Sequence, residues 1–493
     1  MQKFYSYVGR KGNKIYERGY KDGKPYKNIV DYKPYLYVKS DKPSPFKTIK
    51  GEYVSRLEFD SISDAREYIF KYKDVKNHVV YGLTDYEFTY IHDNFSKAFD
   101  FDFSLLNVVN TDIETDSSQG FPDIDTANRE INAITLAKKG KTLTLGLKPF
   151  VSDSPDKRYI ECKDEETLLK LFIHYWNTKE WNPDIITGWN IEFFDIPYII
   201  NRIKRVLGEE EANKLSPFKT LQERVVKQRN GKEVKTYSIF GIAIIDYYAA
   251  YKKFAMNERE SYKLDYIAEF ELGEKKVDYS EYGSLHNLYV KNPQLYIEYN
   301  IHDAVLIEKL ENKLHYIEQI VNIAYIERVN FENTLSTVKP WDIVSHNWLM
   351  DNRKQVVPFF EADETNAYRI VGGFVKDPVP GHYKNVVSVD FTSLYPSLAM
   401  QYNISPDTFT KKVKPPDLEM LLRGDMTRWT EELKKRDLTL TANGGLFRRD
   451  ERGFIPSIMK EFFDERKRQK KEMQNAQKEL QEVEEEMRKR GLL

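Results

Sequence analysis

The chain of 493 residues has a single cysteine, Cys162, so no disulfide forms within it, and such sparing use fits a reducing cytoplasm. No apolar run approaches the ~20 residues that a membrane-spanning helix needs. The first residues, MQKFYSYVGRKGNK, lack the apolar core of a signal peptide. An excess of either charge is also missing: 76 Lys and Arg face 77 Asp and Glu, for a net charge of −1. Bulk electrostatics therefore give no footprint of nucleic acid. That absence excludes little, because local patches decide binding and acid clusters mask basic grooves in the sum. What is present is an ordinary soluble balance, 41% hydrophobic and 31% charged, over a length that exceeds the roughly 250–300 residues of one core. Several domains are expected.

The first hundred residues predict a β-rich module. KFYSYVGRKGNKIYERGYKDGKPYKNIV alternates aromatic and polar positions around Gly-Asn and Asp-Gly turn signals. Its dense Tyr and Phe serve either packing or stacking on single-stranded nucleic acid. From about residue 105 the pattern becomes three strands (LLNVVNTDIE, INAITLA, TLTLGL), an amphipathic helix in DEETLLKLFIHYW, and a short buried strand in DIITGWN. In VVKQRNGKEVKTYSIF an Asn-Gly pair between β-branched alternations predicts a hairpin with polar arms. DPVPGHYKN punctuates the chain before VVSVDFTSLYPSLAM, where an apolar run predicts a buried strand ending in Asp390. The final stretch, from SIMKEFF onward, predicts one long charged helix. Its thin seam of Met473, Ala476, Leu480, Val483 and Met487 calls for a partner helix.

Chemistry enters with the acids. In NTDIETD, Asp112 and Glu114 lie two apart on a strand and so emerge on one face. Asp195 opens a helix after an aromatic pair, a position that an N-cap would also take. Tyr299 and Asp303 lie four apart on a helix and share a face, while His302 points about 100° away. Clustered carboxylates suit Mg²⁺ or Mn²⁺. Two such ions roughly 3.5–4 Å apart activate a water and stabilise the leaving oxygen of a phosphodiester.

The order DIE, NIEFFD, YNIHD resembles the three exonuclease motifs of family B DNA polymerases. DFTSLYPS is similar to that family's first polymerase motif, and GGFVKDP to the segment between its exonuclease and polymerase domains. TGWNIEFFDIPYI, NISPDT and YKLDYIAEFEL are most similar in wording to polymerases of T-even-type phages. The resemblance implies an α/β multidomain chain. Its parts would be an N-terminal β-rich domain at 1–104, an RNase H-like 3′→5′ exonuclease domain at 105–317, and a return to the N-terminal domain at 318–360. A partial palm at 361–455 and the first arm of a helical fingers hairpin at 456–493 would follow.

By the same resemblance, Asp112, Glu114, Asp195 and Asp303 would ligate two Mg²⁺ or Mn²⁺ ions, with Tyr299 positioning the hydrolytic water. Phe193 would sit near the frayed primer end, and the KQRNGKEV hairpin would help part primer from template. Asp390 would bind metal at the polymerase site, Tyr395 would stack under the incoming sugar, and Arg466 and Lys470 would grip the dNTP triphosphate. Where the family has a tyrosine two positions before GGFV, this chain has Ile370, which puts one template contact in doubt.

The family's second fingers helix and its Asp-Thr-Asp signature are not found in this sequence. Asp390 by itself does not hold two metals against a triphosphate. The expectation is therefore the N-terminal subunit of a split phage replicative DNA polymerase, with a truncated product as the other source. A C-terminal chain would supply the remaining palm, fingers and thumb and complete a second pair of ions. Substrates would be primer-template DNA, single-stranded 3′ ends and dNTPs, in a bacterial host cytoplasm and with no membrane. The competing expectations are a stand-alone exonuclease with a vestigial palm and a non-catalytic RNA-binding regulator built on the aromatic N-terminal module.

Overall fold

A computed structural model describes residues 3–95, 101–227, 231, 233–359, 376–391, 393–414, 417–424 and 427–491. The chain divides into two compact units. One takes in residues 1–34, 58–68 and 85–344, the other 35–57, 69–84 and 345–493. No helix among the described residues is long and apolar enough to cross a membrane.

The first unit begins with an antiparallel sheet of Lys3–Lys11, Lys14–Lys21 and Lys24–Asp31. The Asp-Gly signal forms its second turn. Asp22 and Gly23 both have positive φ, 51° and 74°, the geometry that matches strand twist in a two-residue loop. Phe4, Tyr5 and Tyr7 are buried, and the Tyr5 hydroxyl donates to the Val329 carbonyl at 2.8 Å. Tyr16 packs edge-on against Phe218 and Phe240. Of the two uses open to these aromatics, packing is the one the sheet makes of them.

The second sheet of this unit positions the site. Its strand order is Lys157–Glu161, Lys141–Gly146, Ile131–Lys138, Val108–Thr115, Ile185–Gly188, Ala243–Asp246. Val108–Thr115, Ile185–Gly188 and Ala243–Asp246 run parallel, while Ile131–Lys138 is antiparallel to its neighbours. Lys157–Glu161 is a strand the apolar pattern misses, because KRYIE at a sheet edge is polar.

Both faces of the sheet are covered. Leu168, Phe172 and Trp176 of the helix Glu165–Trp176 pack in one core with Ile199 and Ile203 of the helix Asp195–Leu207. On the other face, Tyr296, Ile297 and Ile301 of the helix Pro293–Leu314 pack on Ala133. Each such fully buried apolar side chain contributes about 1.5–3 kcal/mol. The helix starts are well specified. Asp164 accepts from the Thr167 amide, and Asn292 from the Leu295 amide just before Pro293. The expected hairpin is present as Leu221–Lys227 paired with Glu233–Ile239.

The second unit holds a five-stranded sheet ordered Gln355–Val356, Phe46–Thr48, Tyr53–Glu58, Tyr35–Lys39, Val80–Tyr81. It also holds a small sheet of Phe409–Lys412, Gly445–Arg448 and Leu438–Leu440. The helix Leu394–Tyr402 packs against the long helix Phe454–Lys489. Arg353 pairs with the buried Asp407 carboxylate at 2.8 Å.

One expectation is overturned here. Val386–Asp390 is not a buried strand: Val387 and Val389 are 83% and 81% exposed, and no strand pairs with the segment among the described residues. An apolar run becomes a strand only when a neighbour takes up its backbone groups. Residues 370–375, which carry Ile370 and most of GGFVKDP, lie outside the described residues, as do 228–230 and 232 of the hairpin tip. The long helix is single, and its seam is open: Met473, Leu480 and Val483 are each more than half exposed.

Candidate active site

The strand Val108–Thr115 turns Val109 and Ile113 into the core beneath the two helices. Its alternation therefore sends Asp112 and Glu114 to the opposite face. There the Asn300 amide donates to Asp112 Oδ2 at 2.6 Å from the helix Pro293–Leu314. Asp303, one turn further along that helix, is 4% exposed.

Asp195 arrives by another route. The strand Ile185–Gly188 ends in a glycine on which a Cβ would stand 2.3 Å from Ile191 Cγ2 and 2.6 Å from the Thr111 carbonyl. The chain then turns through Asn190, at φ +64°, and Asp195 is the first residue of its helix. Its Oδ1 accepts from the Ile113 amide at 3.2 Å, which binds the helix start to the carboxylate-bearing strand. Phe194 stacks between Phe121 and Tyr198, with centroids 5.0 and 5.8 Å away; its neighbour Phe193, which the motif singles out, is half-buried.

Lys276 is the group that sequence reasoning misses. Its ammonium forms an ion pair with Asp303 Oδ2 and donates to the Tyr299 hydroxyl at 3.2 Å. Nothing in GEKKVDY distinguishes it from Lys275 beside it. Asn300 and Asp246 were missed as well, though each carried a signal. Asn300 is a polar residue on the apolar face of its helix, and Asp246 is a carboxylate at the end of the buried strand AIID. Asp246 accepts from the amides of Asn190 at 2.9 Å, Tyr248 at 3.0 Å and Glu192 at 3.3 Å. His302 stands aside, with Nε2 3.0 Å from the Lys275 carbonyl oxygen.

Burial dominates the electrostatics, and the acids aggravate one another. Burial and the charge of Asp303 push Glu114 up to about 8, and burial, together with Asp246 and Asp303, pushes Asp195 up to about 7. Asp112 is held well above the carboxylate range by burial and then by Asp303, Asp195 and Glu114. Burial also raises Asp303, against the pull of Lys276. Burial and the surrounding carboxylates raise Tyr299, so its hydroxyl keeps its proton. Burial pulls Lys276 down, but Asp303, Asp112 and Glu114 together hold it above the usual lysine value.

Such a set of donors fits divalent cations. Asp303 Oδ1 is buried with no hydrogen-bond partner, and neighbouring acids raise the proton affinity of Asp112, Glu114 and Asp195 despite Lys276. Among the described residues no three His, Cys, Asp or Glu side chains stand close enough to cage one ion. Mg²⁺ does not require such a cage, since it commonly takes one or two carboxylates and completes its shell with water and substrate phosphate. Beside the acids lies a cleft of about 440 Å³ lined by Trp189, Asn190, Tyr248, Tyr262 and Lys276.

The residues expected at a polymerase site lie in the other unit. Asp390 is exposed, and Tyr395 is 82% exposed at the start of the helix Leu394–Tyr402. Arg466 donates to the Ser393 hydroxyl at 3.2 Å, and Lys470 lies exposed one turn further along the long helix.

The pattern for DNA polymerase family B, exonuclease domain, matches residues 61–267, and that for DNA polymerase family B matches residues 346–489. The chain is 32% identical to the DNA-directed DNA polymerase of Escherichia phage RB69, over 97% of this chain and 55% of that protein. It is 30% identical to the DNA-directed DNA polymerase of Enterobacteria phage T4, over 96% and 54%. It is also 27% identical to a DNA polymerase delta catalytic subunit of Caenorhabditis elegans, over 65% and 29%. The chain thus spans about half the length of the phage relatives it matches. With buried acids on an α/β scaffold and both domain patterns in order along it, the chain belongs to DNA polymerase family B.

Proposed function

We propose that this chain is a 3′→5′ exonuclease acting on single-stranded DNA ends, joined to part of a DNA polymerase site. The observation that carries the reading is the convergence, in one largely buried site, of four acids, a tyrosine and a lysine from four separate stretches of chain. Asp112, Glu114, Asp195 and Asp303 would hold two Mg²⁺ or Mn²⁺ ions, which when bound supply an activated water and charge stabilisation at the leaving oxygen. Tyr299, kept protonated, orients the water from above Asp303. Lys276 holds the Tyr299 hydroxyl and neutralises Asp303 while the site is being filled. Trp189, Tyr248 and Tyr262 line a cleft where a base of the strand stacks, a contact that tolerates any sequence.

In this reading Asp390 is one acid of a polymerase site, Tyr395 lies under the sugar of the incoming dNTP, and Arg466 and Lys470 bind its triphosphate. The segments 1–104, 105–317, 318–360, 361–455 and 456–493 serve as N-terminal, exonuclease, returning N-terminal, palm and fingers parts. Asp390 needs an opposing carboxylate that these 493 residues do not furnish, so we propose that the remaining palm, fingers and thumb, on this polypeptide or on a second one, complete the polymerase site. The apolar seam of Met473, Leu480 and Val483 is where the remaining fingers helix packs.

The test is a 5′-labelled single-stranded oligonucleotide and a 5′-labelled primer on its template, each with Mg²⁺. The 493 residues alone shorten the oligonucleotide, Asp112→Ala lowers the rate at least ~100-fold, and the primer is extended only once the remaining palm, fingers and thumb are supplied. Unchanged hydrolysis by Asp112→Ala overturns the exonuclease assignment. Extension by these 493 residues alone overturns the incomplete polymerase site.

A further inference from the structure

The loop that delivers Asp195 is gripped from outside by the hairpin. The Thr236 hydroxyl donates to the Glu192 carbonyl oxygen at 2.6 Å, and the Arg224 guanidinium stands 3.3 Å from Glu192 Oε1. From beneath, Asp246 receives the amides of Asn190 and Glu192. Glu192 therefore joins three elements through three different groups: its carboxylate and its carbonyl to the two arms of the hairpin, and its amide to the start of the helix Tyr247–Phe254. The hairpin is fastened again beyond Asp195. The Tyr237 hydroxyl donates to Asn201 Oδ1 at 2.6 Å, and the Lys204 ammonium lies 4.8 Å from the Tyr237 ring centroid. Asp195 is thus bracketed, three residues before and six after, by contacts to one hairpin.

A hairpin that served only as a wedge between paired strands would need no such fastenings at its base. A loop that turns through a left-handed Asn190 is steadied by them, because they hold both the carbonyl and the carboxylate of Glu192 two residues further on. We propose that Glu192, Arg224 and Thr236 are positioning residues through which the base of the hairpin sets the placement of Asp195. The consequence is specific: loosening the base impairs hydrolysis even of DNA that has no partner strand to be parted from. This inference rests on the exonuclease assignment, and its test separates the two.

The full chain and its variants are compared by kcat and KM on a single-stranded oligonucleotide, and by Mn²⁺ affinity from electron paramagnetic resonance without DNA. Glu192→Ala and Arg224→Ala are each expected to lower kcat and weaken Mn²⁺ binding about 10-fold, the lower end for a group that orients a metal ligand, with KM unchanged. The double variant should be no worse than either single one, since both remove the same contact. Thr236→Val should lower kcat less, and Arg224→Lys, which keeps the charge, should recover part of the loss. Wild-type kcat and Mn²⁺ affinity in Glu192→Ala and Arg224→Ala, with loss confined to paired 3′ ends, overturns the proposal. If Asp112→Ala hydrolyses normally, the exonuclease assignment falls instead.

Discussion

Lys276 is the residue on which the acid cluster depends most while no cation is bound. Replacing it with methionine leaves Asp303 buried without a counter-charge. Breaking a fully buried pair costs about 3–5 kcal/mol; Lys276 is 24% exposed, so a loss of about 1–3 kcal/mol is expected. Denaturant unfolding of Lys276→Met in EDTA measures that loss. Hydrolysis should fall about 10-fold or more as Tyr299 loses its donor, with KM little changed.

The same cluster makes stability depend on pH in a direction opposite to that of an ordinary surface acid. Unfolded carboxyls titrate near ~4, whereas Glu114 and Asp195 titrate near about 8 and 7 in the folded chain. Between those limits the folded state carries more protons than the unfolded one, so stability falls as pH rises. The contribution is fully present below about pH 4 and is lost through pH 7 to 8. In EDTA the melting temperature should therefore drop from pH 6 to pH 8.5. With Mg²⁺ the drop should shrink or reverse, because the ion binds the deprotonated acids. A melting temperature in EDTA that rises across that range would contradict the clustering of the acids.

At the scale of elements, the critical junction is the one between the strand Ile185–Gly188 and the helix Asp195–Leu207. Gly188→Ala would drive its Cβ into Ile191 and the Thr111 carbonyl, so either the strand or the loop must shift. Overpacking of this kind costs about 1–3 kcal/mol, and here the displaced loop carries Asp195. Activity should therefore fall further than the stability loss explains. Asp164→Ala is the useful contrast: it removes an N-cap on the helix Glu165–Trp176, costs about 1 kcal/mol, and should leave kcat unchanged.

This junction also shows what the sequence discloses and what it hides. Period-two spacing put Asp112 and Glu114 on one face, and period-four spacing did the same for Tyr299 and Asp303, because local geometry alone decides those placements. The Asn-Gly hairpin was legible for the same reason. Lys276 and the grip of Arg224 on Glu192 were not, since each owes its role to a neighbour far away in the chain. Val386–Asp390 misled in the opposite sense. Its composition suits a strand, but whether an apolar run is buried depends on what lies beside it, and composition carries no record of that.

For the molecule as a whole, the residues proposed for hydrolysis and those proposed for polymerisation fall in different units. Asp112, Glu114, Asp195, Lys276, Tyr299 and Asp303 all belong to the unit formed by residues 1–34, 58–68 and 85–344, whereas Asp390, Tyr395, Arg466 and Lys470 belong to the other. In the first set Asp195, Tyr299 and Asp303 are buried and Asp112, Glu114 and Lys276 half-buried, and the acids carry raised proton affinities, as a metal-binding centre requires before it is filled. Asp390, by contrast, is exposed. Hydrolysis of a single strand should thus be indifferent to the second unit's chemistry. Asp390→Asn should leave the rate on a single-stranded oligonucleotide within about twofold of the parent, while Asp303→Asn lowers it at least ~100-fold under the same Mg²⁺. Parallel initial-rate measurements on one labelled oligonucleotide decide the matter. A large loss in Asp390→Asn would mean that the exposed acid takes part in hydrolysis, and the assignment of one complete and one incomplete centre would have to be given up.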